Sequence, residues 1–189
     1  MPSSPEDLPT NDNVPPLLLF DARTDQGKSP HESGDGIPIV DAGDWRVIND
    51  TVMGGQSSSQ FSVDAGHATF SGTVSLDGGG FASVRSPSGS YDLATADQFV
   101  LMVRGDGKTY NFTAYTGPGA RVSYRSRFKA PPDWTRIKIP FASLTPYRRG
   151  RKVPSAPAFS PADVREVGFL IGDKQDGPFE LNIQWIGGA

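Results

Sequence analysis

The sequence holds no cysteine and only two histidines, His31 and His67. Disulfide frameworks, thiolate zinc sites, iron–sulfur clusters and cysteine nucleophiles are therefore excluded. A charge relay needs a histidine beside a nucleophile and an orienting acid. Here His31 falls in a polar stretch and His67 in an alternating one, and both read as surface residues. No Gly-x-Ser-x-Gly elbow, His-Glu-x-x-His pair or P-loop occurs. Gly78-Gly79-Gly80 follows Asp77 without a Lys-Ser behind it, so it reads as a turn and not a phosphate cradle. Asp41, Asp44, Asp50, Asp77, Asp173 and Asp176 all fall in loop-like stretches. Paired carboxylates could hydrolyse glycosides, and oxygen-rich loops could hold calcium, although EF-hand spacing is absent. The simpler reading is that these aspartates cap turns through nearby backbone N–H groups. The expectation is a chain with no catalytic residue, no cofactor and no metal.

The most distinctive stretch is Trp45-Arg46-Val47-Ile48-Asn49-Asp50-Thr51-Val52-Met53-Gly54-Gly55-Gln56-Ser57. It reads as a strand ending in a tight loop. Gly54 and Gly55 permit positive φ, Asn49 and Asp50 can satisfy loop amides, and Met53 can fill an irregular gap. The functional alternative is a loop facing a partner or ligand. Charge gives a second pointer. Between Arg104 and Lys152 lie twelve Lys or Arg and two acids, a segment of +10 in a chain whose remainder is −13. Aromatics recur among these cations: Tyr124, Arg125, Arg127 and Phe128, then Trp134, then Tyr147, Arg148, Arg149 and Arg151. Phe128 and Trp134 read as core, and the three last arginines as surface. Such a basic face suits an acidic partner; with no nucleic-acid motif beside it, nucleic acid is not expected.

These residues need a scaffold. With 189 residues the chain matches the length of one domain. Its 22 glycines and 17 prolines rule against a helical bundle and favour short strands joined by turns. Strands are expected at Leu17–Phe20, Trp45–Asn49, Phe81–Val84, Gln98–Arg104, Thr109–Thr116, Val122–Phe128, Thr135–Ile139, Val167–Ile171 and Phe179–Ile186. Ser59–Val63 and His67–Val74 form a hairpin about Ala65-Gly66. Helical structure is limited to a start at Ser160–Asp163 and one turn at Leu93–Ala96. The pattern is an all-β jelly-roll sandwich over residues 17–189 behind a flexible tail at 1–16. No apolar run approaches the roughly 18 residues that cross a bilayer, and the acidic start lacks the basic region of a secretory signal.

The spacing of Trp45, Asn49-Asp50, Val52-Met53-Gly54-Gly55 and Ser57 resembles the signature of the thirty-kilodalton complex I intermediate-associated protein family. The blocks Gly80-Phe81-Ala82-Ser83-Val84-Arg85, Tyr124 with Phe128, Trp134 with Ile139-Pro140-Phe141, Arg149-Gly150-Arg151, Val167-Gly168-Phe169 and Asp173-Lys174-Gln175 before Gly177-Pro178-Phe179 are similar in order and spacing, from about Leu18 to Ile186. The resemblance implies a galactose-binding-domain-like jelly roll and a non-enzymatic role holding assembly intermediates of respiratory complex I. The fold is similar to that of carbohydrate-binding modules, so glycan binding is the first alternative, with Tyr110, Tyr115 or Tyr124 exposed in a sheet groove. An enzyme using loop carboxylates is the second. The acid-bearing, Arg-free start points to a bacterial member in the cytoplasm rather than a mitochondrial one. The expected binding residues are Asn49, Asp50, Met53, Gly54, Gly55, Ser57, Arg85, Tyr124, Arg148, Arg149 and Arg151, with Asp50 and Met53 presented to a protein partner and the arginines paired with its carboxylates.

Overall fold

A computed structural model describes residues 17–24, 44–64, 66–117 and 120–189. The tail expected at 1–16 lies outside the described residues, as do His31 and Asp41. Two antiparallel sheets face each other. The first is ordered β3 (Ser58–Asp64), β4 (His67–Val74), β13 (Gly177–Gly188), β6 (Gln98–Gly105), β9 (Thr135–Pro140), with β1 (Leu17–Asp21) also on β13. β13 pairs β4 through residues 177–183 and β1 through 185–188, so one long strand serves two short ones along the same edge. The second sheet is ordered β11 (Arg151–Lys152), β10 (Thr145–Arg148), β8 (Ser123–Lys129), β7 (Thr109–Thr116), β12 (Val164–Ile171), β5 (Ala82–Arg85), β2 (Arg46–Asn49). The jelly-roll β-sandwich expected from the turn-punctuated alternation is the fold observed.

Alternation decides what each strand hides, because successive side chains point to opposite faces. Phe99, Leu101 and Val103 of β6 meet Tyr110, Phe112 and Ala114 of β7 in the core between the sheets. Phe99 and Phe112 join the two sheets at a ring distance of 4.7 Å, and Phe169 of β12 stands edge-on to Phe112 at 5.7 Å. Burying one such side chain contributes about 1.5–3 kcal/mol, and cutting Phe112 back to Ala costs about 3–5 kcal/mol. Trp45 joins this core between Phe61, stacked at 4.7 Å, and Phe20, edge-on at 5.3 Å.

The outward face of the six-stranded sheet is not purely polar. A register shift between Ile183 and Trp185 keeps Ile183 and Ile186 inward and turns Trp185 outward, onto Val100 and Met102. Trp134 packs on this outer cluster and not in the core expected for it, whereas Phe128 is core as expected.

β10 and β11 carry no hydrophobic alternation and were absent from the sequence expectation. They form by a two-residue turn, Arg149-Gly150, with φ of +50° and +75°. Two positive φ values in a two-residue loop are the geometry that matches strand twist. The 3-10 turn at Pro161–Asp163 occurs where a helix start was expected, but Ser160 makes no side-chain cap.

Candidate functional site

The loop after β2 is built around one carboxylate. Asp50 is 0% exposed. Its Oδ1 accepts from the Ser57 N–H at 3.0 Å, and its Oδ2 accepts from the Ser57 hydroxyl at 2.7 Å, the Gly80 N–H at 2.7 Å and the Phe81 N–H at 3.3 Å. Ser57 Oγ in turn accepts from the Ser75 N–H at 3.0 Å. One side chain thus binds the 50–57 loop to the 75–81 loop. Burial pushes the Asp50 carboxyl up, and the bonds from Ser57, Gly80 and Phe81 outweigh it, holding it below the ordinary carboxylate value.

The glycines serve this carboxylate. A Cβ on Gly55 or Gly79 would fall onto the Asp50 side chain. Gly54 has φ +86°, with open space around it, and closes a 3-10 turn by donating its N–H to the Thr51 carbonyl. Asn49 bonds no loop amide; its Oδ1 accepts from the Ser59 hydroxyl at 2.7 Å.

Two expectations for this loop are corrected. Asp50, with Ser57, is architectural and offers nothing to a partner, because its oxygens are consumed inside the fold. Met53 plugs no gap: it is 73% exposed at the loop tip. Tyr124 is corrected too. It is 3% exposed, edge-on to Phe159 at 5.3 Å, and its hydroxyl donates to the Pro157 carbonyl at 2.8 Å, lining an apolar cavity of about 460 Å³ with Phe141 and Leu144.

The outward face of the seven-stranded sheet gathers the remaining groups. Register places Arg46, Arg85, Gly168, Thr113, Arg125 and Thr145 in one row across six strands. Glu166 sits between Arg46, at 3.5 Å, and Arg85, at 3.2 Å. The Arg85 guanidinium lies 3.7 Å over the Tyr115 ring. Arg125 lies 5.0 Å over the Tyr147 ring, and its Nε donates to Ser123 Oγ at 2.7 Å. Arg127 pairs with Asp173 at 2.9 Å. Burial pulls the Arg125 pKa below its ordinary value, and the like charge of Arg85 acts in the same direction, against the opposing fields of Tyr115, Tyr147 and Asp173. At the edge of this sheet, Arg148, Arg149, Arg151 and Lys152 are exposed on the β10–β11 hairpin.

Alternation divides the β10–β11 hairpin: Lys152, opposite Tyr147, shares the face of Arg85 and Arg125, whereas Arg148 and Arg151, opposite each other, point to the other side of that edge. Arg125 was not among the expected residues; its sequence signal was alternation, since it stands two residues from Ser123 and Arg127 on β8. The basic segment as a whole is divided. Arg104 and Arg136 lie on the opposite face, over Trp134 at 4.9 Å and Trp185 at 5.7 Å. Tyr110 and Tyr124 point into the core, and Tyr115 is 9% exposed beneath Arg85. No three carboxylates or histidines cluster as a metal-holding group among the described residues.

The architecture is similar to that of carbohydrate-binding modules. The chain superimposes on the family 11 module of the cellulosomal cellulase Lic26A-Cel5E of Clostridium thermocellum with a TM-score of 0.61, at 13% identity, over 77% of this chain and 88% of that one. That likeness is one of fold. By sequence, residues 37–183 match the family described as complex I intermediate-associated protein 30, and the chain belongs to that family. It is 30% identical over 167 residues to the mitochondrial complex I intermediate-associated protein 30 of Mus musculus, covering 76% of this chain and 51% of that protein. The Drosophila melanogaster protein of the same name is 27% identical over 169 residues, with 76% and 57% covered. The chain thus spans about half the length of the curated relatives it matches. Those relatives are mitochondrial by name, and the bacterial cytoplasmic setting expected from the first residues finds no support in them. Among the described residues no helix is long and apolar enough to cross a membrane.

Proposed function

We propose that this protein is a non-enzymatic protein-binding module that acts in the assembly of a larger complex, respiratory complex I by the names of its relatives, and that it docks its client through the outward face of the seven-stranded sheet and the adjoining arginine hairpin. The observation that carries this is the state of the aromatic rings on that face. A sugar-binding sheet leaves flat rings free to stack on a pyranose. Here Arg85 covers Tyr115 at 3.7 Å and Arg125 covers Tyr147 at 5.0 Å, so the surface offered is cationic. Cation–π contact of this kind holds a guanidinium in place, and Arg is enriched where interfaces carry their binding energy. The relatives' setting draws the localisation toward the mitochondrion.

The test is comigration. Tagged protein in the source cells is expected to run on native gels with a subassembly of the respiratory complex. The variant carrying Arg148→Glu, Arg149→Glu and Arg151→Glu is expected to run free while melting at the parent temperature. A parent that runs only as a free species, or a variant that comigrates equally, sinks the proposal. Saturable binding of cellotetraose to this face would replace it with the glycan reading.

A further inference from the structure

We infer that Arg125 is the anchor for a carboxylate supplied by another protein: an aspartate or glutamate side chain of the partner docks end-on against its guanidinium. The inference deepens the docking reading above and rests on it.

Arg125 stands in the interior of the sheet, on β8, with β7 on one side and β10 on the other. The acids of this face are already spoken for. Glu166 is shared by Arg46 and Arg85, and Asp173 belongs to Arg127. Among the described residues no carboxylate reaches Arg125 within ion-pair distance, and its one hydrogen bond is from Nε to Ser123 Oγ. That bond and the Tyr147 ring fix the plane of the guanidinium, and the two terminal nitrogens remain as a fork. A partly desolvated cation without a counter-ion costs stability, so a chain shaped for stability alone would carry an uncharged residue there.

Gly168 and Thr113, beside Arg125 in the row, are buried, and a Cβ on Gly168 would collide with the Val84 carbonyl and press on Thr113 and Arg85, so this part of the row is closely packed. The occupant follows from chemistry. A fork of two parallel N–H groups fits a planar carboxylate, and carboxylates are what this face already uses against Arg85 and Arg127. With its own acids committed, the face is complementary to an acidic surface.

The experiment uses the full chain, with arginine Nε–Hε signals followed by NMR while hexaglutamate is added. Hexaglutamine, a phosphoserine peptide and cellotetraose serve as comparison probes. Hexaglutamate is expected to move the Arg125 signal and hexaglutamine to leave it. Arg125→Met is expected to weaken hexaglutamate binding at least about tenfold, the loss of about 1.4 kcal/mol, while melting about 2–4 °C higher. Arg104→Met, on the opposite face, is expected to leave binding unchanged. Equal affinity in Arg125→Met overturns the inference, as does a response confined to the phosphoserine peptide, which would make this a phosphate site. Hexaglutamate silent while native-gel comigration persists overturns this anchor alone. Comigration absent while hexaglutamate engages Arg125 overturns the assembly reading alone.

Discussion

Asp50 and Arg125 are both charged side chains drawn away from water, at the end of one sheet strand and in the middle of another, and the fold treats them in opposite ways. Asp50 receives four hydrogen bonds from its own chain. Arg125 receives a single hydroxyl and an aromatic face. A buried charge that is fully met inside the fold is part of the architecture. A half-buried charge left unmet by its own chain is, on our proposal, the anchor of a docking surface. Asp50 and Ser57 of the most distinctive sequence motif are architectural, and the proposed docking falls to residues of plainer context.

The sharpest way to break this comparison is Asp50→Ala. It strands the Ser57, Gly80 and Phe81 amides, leaves the Ser57 hydroxyl with only the longer bond to the Ser75 carbonyl, and is expected to cost about 3–5 kcal/mol in denaturant unfolding. A loss under about 1 kcal/mol would mean that water replaces the carboxylate freely. Arg85→Met comes next. It leaves Glu166 with only the exposed Arg46, and a loss of about 2–3 kcal/mol is expected. Arg125→Met should instead stabilise; if both arginine variants destabilise alike, the distinction between met and unmet charge fails.

Gly55→Ala and Gly54→Ala separate crowding from strain within one loop. The first drives a methyl into Asp50 and is expected to cost about 2–3 kcal/mol. The second meets open space at φ +86° and is expected to cost about 1 kcal/mol. Equal melting temperatures would show that the loop yields to both.

The pH dependence sharpens the Asp50 side. Its folded pKa is depressed, so its stabilisation is fully present above the unfolded value of about 3.9 and is lost as pH falls through the lower folded value. The stability difference between the parent and Asp50→Asn is therefore expected to be constant near neutrality and to shrink below about pH 4. A difference that stays constant to pH 2 would remove the charge from the account.

The smallest effect is expected at Arg149. Asn suits its positive φ better, so Arg149→Asn should gain about 0.5 kcal/mol and weaken client capture. A gain in stability with capture unchanged would make the hairpin a bystander.

Much of the fold was legible. Alternation in Thr109–Thr116 sent Tyr110, Phe112 and Ala114 to one face, and that face is the core. The Ala65-Gly66 break located the hairpin whose pairing runs from Ser58 to Asp64. Positive φ was read for both Gly54 and Gly55; Gly54 has it and Gly55 does not. Less of the site was legible. Asp50 and Met53 looked equally presentable, yet one is buried and the other is the exposed tip, because burial depends on the distant 75–81 loop. Tyr124 and Tyr115 look alike in strands of alternating residues, but Tyr124 packs edge-on against Phe159 and Tyr115 lies beneath Arg85. β10 and β11 escaped because a charged hairpin held by turn geometry has no hydrophobic period to read.

By itself the sequence determined the family, the strand-rich class, the absence of thiol chemistry and the turn at Gly54, since each of these follows from residue type and local spacing. Only the tertiary structure decided which charges are met. That depends on which strands become neighbours: β12 brings Glu166 to Arg85, the loop after it brings Asp173 to Arg127, and nothing among the described residues brings an acid within ion-pair distance of Arg125. Pairing between strands far apart in the chain is a property of the packed sheets, and the Coulomb energy it governs falls off too steeply for one-dimensional spacing to reveal.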